Sequence, residues 1–160
     1  MTDELRFAVK ELQAKDIKHC RKFDGANSLS EKWCDTSFAP YVDNDSKGLF
    51  LARCVETNAV VGYIAFWNYG TFEKQIRKLV IHKQYQSSGI ATALIDRVHS
   101  TSLDQRTVMM PLETDLRLQM LLKSLGFSCV KIKKDLPNVR YLFVKSSRSH
   151  EMEWGFYDLI

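Results

Sequence analysis

The chain has 160 residues, 45% hydrophobic and 26% charged, a balance that suits one globular domain with its own core and excludes a disordered or fibrous chain. The net charge of +4 and the pI near 8.9 come from scattered Lys and Arg, with tight clusters only at Lys131-Lys133-Lys134 and Arg21-Lys22, which points to a solvated basic surface suited to a polyanionic small molecule and away from nucleic acid. Cys20, Cys34, Cys54 and Cys129 show neither C-x-x-C nor His at metal-ligand spacing, so they read as reduced core thiols with no metal site; with no apolar run of membrane-spanning length and no apolar signal core at the N-terminus, the expected compartment is cytoplasmic.

In chain order the elements alternate. Residues 6–12 read as a strand and 15–23 as a helix. A second helix is expected over 28–37, with Ser28 or Ser30 as N-cap and Glu31 in the first turn. Residues 48–55 and 60–67 form a hairpin around the turn 56–59, and Asn68-Tyr69-Gly70-Thr71 leads into a long strand over 72–81. Along that strand Glu73, Gln75, Arg77 and Leu79 alternate in one phase. Ile90, Ala93, Leu94 and Val98 recur at helical spacing over 89–99, with Ser87 or Ser88 able to cap the start. Residues 108–112 make a short buried strand whose pairing should stop near Pro111. Leu118, Leu121, Leu122 and Leu125 form a helical stripe closed by Gly126. Strands over 128–133 and 140–144 then form a hairpin around Asp135-Leu136-Pro137-Asn138. Residues 1–145 are read as one domain and 146–160 as a tail whose Trp154, Phe156, Tyr157, Leu159 and Ile160 should dock on that domain or on a partner subunit.

The most informative stretch runs from Leu79 to Leu94. An apolar strand, a short polar loop and a Gly at a helix start follow one another directly, which is how a chain presents backbone N–H groups to a phosphate. A Walker loop would need Gly-Lys-Ser/Thr and a dinucleotide fingerprint three glycines, and neither is present. Gln86-x-x-Gly89-x-Ala91 resembles the Q/R-x-x-G-x-G/A signature of the GNAT family of N-acetyltransferases. Leu79-Val80-Ile81 before it, Tyr85 beside it and Leu94 after it are similar to the flanks of that signature, and Leu125-Gly126-Phe127 resembles the end of the family's fourth helix.

The resemblance implies an α/β (α+β) acyl-CoA N-acyltransferase fold, a mixed central sheet of about seven strands with helices on both faces, in the order β-α-α-β-β-β-α-β-α-β-β. It implies acetyl-CoA as cosubstrate and no metal. Its pyrophosphate would lie on Gln86, Ser87, Ser88, Gly89, Ile90, Ala91 and Thr92, and its pantetheine arm along Leu79, Val80 and Ile81, where a strand bulge at Val80 and Ile81 would leave an N–H for the acetyl carbonyl. Ser87 and Ser88 stand where Gly-Arg or Gly-Lys is frequent, so the loop lacks a cation. Asp115 falls at the family's cofactor-binding Asn, and Leu122 at the Tyr that protonates the departing thiolate.

Transfer to an amine needs a neutral amine, a fixed electrophile and a proton for the thiolate. With Leu122 unable to donate, the acid is sought at Tyr141, Tyr63 or Tyr157, or from water. The base is sought at Glu73 or Glu113, both of which also read as solvated strand-end carboxylates, or in a water chain. His82 reads as a surface residue, and Trp33, Trp67, Phe66 and Tyr69 either line the acceptor side or fill the core. Asp24, Glu31, Asp35, Asp43 and Asp45 would form an acidic rim attracting a cationic amine, or are simply solvated. The resulting expectation is an N-acetyltransferase acting by direct attack on a small-molecule or protein amine, as monomer or homodimer, with no nucleic acid or membrane partner. The alternative is a GNAT-fold module that binds CoA or a partner without turnover.

Overall fold

The computed structural model describes residues 6–27, 33–86, 88–101, 106–135 and 138–146. Its elements are β1 (Phe7–Glu11), α1 (Ile17–Asn27), α2 (Asp35–Phe38), β2 (Lys47–Cys54), β3 (Val60–Tyr69), β4 (Glu73–Ile81), α3 (Ile90–Ser100), β5 (Arg106–Met109), α4 (Leu116–Ser124), β6 (Ser128–Asp135) and β7 (Asn138–Ser146). The strands form a seven-stranded sheet in the order β1-β2-β3-β4-β5-β7-β6. β4 and β5 are parallel because α3 carries the chain back between them, and the other pairs are antiparallel. The expected order of elements is therefore observed.

Alternation along the strands sends side chains to two faces, each covered by helices. Ile64, Phe66 and Ile76 pack with Ile90, Leu94, Ile95 and Val98 of α3, Leu122 of α4, and Phe127 and Phe143. On the other face Leu49, Leu51, Tyr63, Ala65 and Val80 pack with Cys20 and Phe23 of α1, Phe38 of α2 and Tyr41. Phe66 thus belongs to the α3/α4 core, whereas Trp33 and Trp67 lie against the α1/α2 cluster. Asp115 caps α4 by accepting the Leu118 N–H at 3.1 Å. At its far end Gly126 turns to φ +93, and the Gly126 and Phe127 N–H groups bond Lys123 O and Leu122 O at 3.1 and 3.0 Å, closing the last carbonyls as the Gly predicted.

Three expectations are corrected. The described second helix is Asp35–Phe38, one turn rather than 28–37; residues 28–32, with Ser28, Ser30 and Glu31, lie outside the described residues. The chain then tightens into a 3-10 turn over Ala39–Tyr41, because Pro40 offers no N–H to extend an α-helix. Of the thiols only Cys20 is buried, pushed up to about 12 first by burial and next by Asp16, while Cys34 and Cys129 are exposed and Cys54 lies between. β7 continues to Ser146, one residue into the stretch read as a tail; residues 147–160, with Tyr157, lie outside the described residues. No helix among the described residues is long and apolar enough to cross a membrane.

Candidate active site

β4 and β5 pair only from Glu73↔Arg106 to Ile76↔Met109. Beyond that point β5 turns to β7: the Tyr141 N–H bonds Pro111 O at 3.0 Å, Arg140 Nη1 bonds Met110 O at 2.9 Å, and Leu112 bridges Arg140. β4 keeps β3 as its partner up to Ile81. The two strands part as a wedge whose β4 wall is Arg77 to Ile81.

The His82 N–H bonds Val61 O at 2.8 Å, so the antiparallel alternation directs the amides of His82, Val80 and Lys78 toward β3 and those of Leu79 and Ile81 into the wedge. The bulge is also displaced. Ala65 pairs with Lys78 and Phe66 with Ile76, which makes Arg77 the extra residue, while Val80 and Ile81 stay in register with Tyr63 and Gly62. The expectation of a bulge at Val80 and Ile81 is thus corrected to Arg77, and Val80 bonds within the sheet. Leu79 and Ile81 present their amides to the wedge.

After β4 a 3-10 turn over Lys83–Tyr85 carries the chain to α3. His82 serves this turn: its Nδ1 accepts the Gln84 N–H at 3.1 Å and its ring stacks on Phe23, a positioning part consistent with a non-catalytic His. Gly89 is the N-cap of α3 at φ +87, and no side chain caps the helix. Ser88 was expected as a cap, but its hydroxyl is donated back to Tyr85 O; Ser87 lies outside the described residues. With Ala93 N–H bonded to Gly89 O, the amides of Ile90, Ala91 and Thr92 are the free first-turn donors. A Cβ on Gly89 would meet no heavy atom within 4 Å. Among the described residues nothing therefore crowds the N-cap, and first-turn amides at the positive end of a helix are the kind of donors that take an anion.

A cation from outside the loop lies against it. Arg117, exposed in the first turn of α4, donates from Nη1 to Gln86 Oε1 at 2.7 Å. Sequence reasoning missed it because the two residues are 31 positions apart and nothing in either segment signals the contact.

The candidate proton carriers are dispersed. Leu122 is fully buried in the α3/α4 core. Tyr141 is half-buried against that same core from β7, whose backbone N–H at this residue bonds Pro111 O. Glu113 is exposed just past β5, in the turn before α4, where its carbonyl accepts from Gln119 Nε2 at 2.9 Å. Glu73 sits at the opposite, closed end of β4, paired with Tyr69 and Arg106. Tyr63 is fully buried and its hydroxyl is donated to Asp24; burial, then that bond and the Asp24 charge, hold its proton well above the ordinary phenol range, so it serves packing rather than thiolate protonation.

Asp24 is the hub of the α1/α2 face. Fully buried, it pairs with Lys78 Nζ at 2.8 Å and accepts the Trp33 N–H at 2.8 Å as well as the Tyr63 hydroxyl. Lys78 also stands 4.6 Å over the Trp33 ring. Asp35 pairs with Arg21 at 3.2 Å. Of the expected acidic rim, Asp24 is thus consumed internally and Asp35 is paired, while Asp43 and Asp45 are exposed. Among the described residues no group of His, Cys, Asp and Glu is arranged to hold a metal ion.

The chain resembles solved structures over most of its length. The Arabidopsis thaliana NAA60 in complex with acetyl-CoA is 16% identical with a TM-score of 0.75, covering 88% of this chain and 98% of that one. The ribosomal-protein-S18-alanine N-acetyltransferase from Escherichia coli is 13% identical with a TM-score of 0.76, covering 92% and 98%. A variant of the Vibrio cholerae spermidine N-acetyltransferase SpeG is 11% identical with a TM-score of 0.73, covering 88% and 94%. At these identities the likeness shows the fold. A search of curated proteins by sequence finds no match. The sequence model described as the acetyltransferase (GNAT) family matches residues 14–127, from the turn before α1 through the wedge and the cradle to the end of α4. The chain belongs to the GNAT acetyltransferase family.

Proposed function

We propose that the protein is an N-acetyltransferase that moves acetyl from acetyl-CoA to a primary amine by direct attack. The observation that carries this reading is the junction of an open amide cradle at Gly89 with the β4–β5 wedge. The free amides of Ile90, Ala91 and Thr92, with Arg117 beside Gln86, would hold the pyrophosphate. The wedge amides of Leu79 and Ile81 would bond the pantetheine arm and the acetyl carbonyl, stabilising charge that grows on that oxygen during attack. Asp115 acts here through its cap, fixing the start of α4 and with it Arg117.

The bound thioester supplies an activated acyl group, and the chain must supply proton transfer. Glu113, exposed at the β5 end of the wedge, is the base for the acceptor ammonium. Tyr141 is the acid for the thiolate, in place of the Tyr absent at Leu122. Glu73, at the closed end of β4, takes no part in this scheme. The free cysteines suit the cytoplasm. The S18-alanine and spermidine N-acetyltransferases, similar in fold, act on a ribosomal protein and on a polyamine, so both acceptor classes belong in the test.

Thiol release from acetyl-CoA against an amine panel tests the reading. Tyr141→Phe should lower the rate by about a hundredfold, or roughly 2.7 kcal/mol of barrier, with CoA binding retained. A wild-type rate in Tyr141→Phe would assign protonation to water. The burial of Leu122 in the core supports a second reading, a CoA-binding module. Tight CoA binding with background thiol release for every amine would establish it.

A further inference from the structure

Resting on the acetyltransferase reading above, we infer that the acceptor carries an oxyanion near its amine and that Arg77 holds it. Arg77 is the bulged residue of β4 and the first beyond the last β4–β5 pair, so it stands at the apex of the wedge, where the two strands begin to part. Because a bulge places two consecutive side chains on one face, Arg77 and Lys78 both lie on the α1/α2 side, the opposite side from Ile76 and Leu79.

The two cations have different fates. Lys78 is buried and neutralised by Asp24. Arg77 is exposed, with its guanidinium carbon 4.3 Å from the Trp67 ring centroid and its Nη1 donating to Gln75 Oε1 at 3.1 Å. Both partners are neutral, and Arg77 has no carboxylate partner among the described residues. A guanidinium laid against a ring keeps in-plane N–H groups for a bidentate oxyanion, and one already ordered loses less entropy on binding. Lys47 Nζ stands over the same ring at 4.8 Å, so Trp67 carries two cations beside the apex. Of the expected acidic rim, Asp24 is spent inside the fold and Asp43 and Asp45 stay exposed on the loop before β2, so at Arg77 itself an acceptor meets positive charge. The shared chemistry is a carboxylate or a phosphate on the acceptor.

The test compares aspartate and glutamate with their neutral amides, phosphoethanolamine with ethanolamine, and spermidine, all by thiol release from acetyl-CoA. The anionic members should exceed their neutral partners in kcat/KM by about tenfold or more, chiefly through KM, and the stronger anionic arm identifies the oxyanion. Arg77→Gln should bring the anionic acceptors down to the neutral ones and leave the thermal shift by CoA in place. A wild-type preference for spermidine, or an anionic preference that survives Arg77→Gln, overturns the inference. Binding of N-acetylaspartate against its diamide to CoA-loaded protein, by calorimetry, reads the same discrimination without turnover. N-acetylphosphoethanolamine against N-acetylethanolamine reads the phosphate arm in the same way; equal binding within both pairs overturns the inference, whereas absence of thiol release from every amine overturns the transferase reading alone.

Discussion

Gly89→Ala separates the cradle from the fold. Gly89 sits at φ +87, where an L side chain is strained by roughly 1–2 kcal/mol, and the Ala recovers about 0.4–1 kcal/mol by restricting the unfolded chain. Since a Cβ there meets nothing within 4 Å, no steric cost is added. The net loss should be about 1 kcal/mol, or about 2–4 °C in Tm for a domain of this size. On the proposed assignment the methyl group would, however, stand at the N-cap of α3, where the pyrophosphate would approach the first-turn amides. A tenfold weaker Kd would cut the stabilisation at a CoA concentration of about 100 wild-type Kd from roughly 2.7 to roughly 1.4 kcal/mol. Gly126→Ala is the matched control: its φ is +93 and its nearest contact, a Lys145 methylene, lies at an ordinary 3.5 Å, far from the loop in function. It should cost similar stability and leave the CoA response intact. Thermal-shift titration of both variants with CoA decides the matter. Wild-type CoA affinity in Gly89→Ala, or an equal loss in Gly126→Ala, would refute the assignment of the cradle.

Arg117→Ala should weaken CoA binding by about three- to tenfold, flatten its salt dependence and leave stability within about 0.5 kcal/mol, as calorimetry at two ionic strengths can establish. Asp24→Ala strands a buried Lys78 and should destabilise by about 3–5 kcal/mol in urea unfolding, with Lys78→Met in the same chain recovering a large part; strict additivity of the two changes would contradict the network. His99 is held below its ordinary range by burial first and by Lys145 second, with Asp96 opposing. Above about pH 6.5 both states are neutral and the group contributes nothing, but as pH falls below it the unfolded chain binds a proton that the folded chain resists, so stability declines. Unfolding measured at about pH 5 and 7 should show this decline reduced in His99→Gln, and an unchanged slope would remove His99 as its source.

Where structure depends on neighbours in the chain, the sequence alone carried most of it, although the second helix is one turn over Asp35–Phe38 and Ser88 bonds Tyr85 O instead of capping α3. The strand–loop–helix at Leu79 to Leu94 followed from apolar periodicity and one Gly, because backbone conformation and helix starts are set within a few residues. The stripe ending at Gly126 was legible for the same reason, and the two-faced sheet followed from alternation with the family resemblance. What escaped depends on pairing at a distance. Period-2 counting put Glu73, Gln75, Arg77 and Leu79 in one phase, but the bulge at Arg77 turned Leu79 to the other face, a shift decided by register against β3. Asp24 and Asp35 read as rim charges until folding set them against Lys78 and Arg21. Arg117 reached Gln86 only because α4 and the cradle converge at the open end of the wedge. Local backbone preference is written residue by residue, whereas the partner of a charge is selected by the packing of elements far apart in the chain, and the tertiary structure alone determines that geometry.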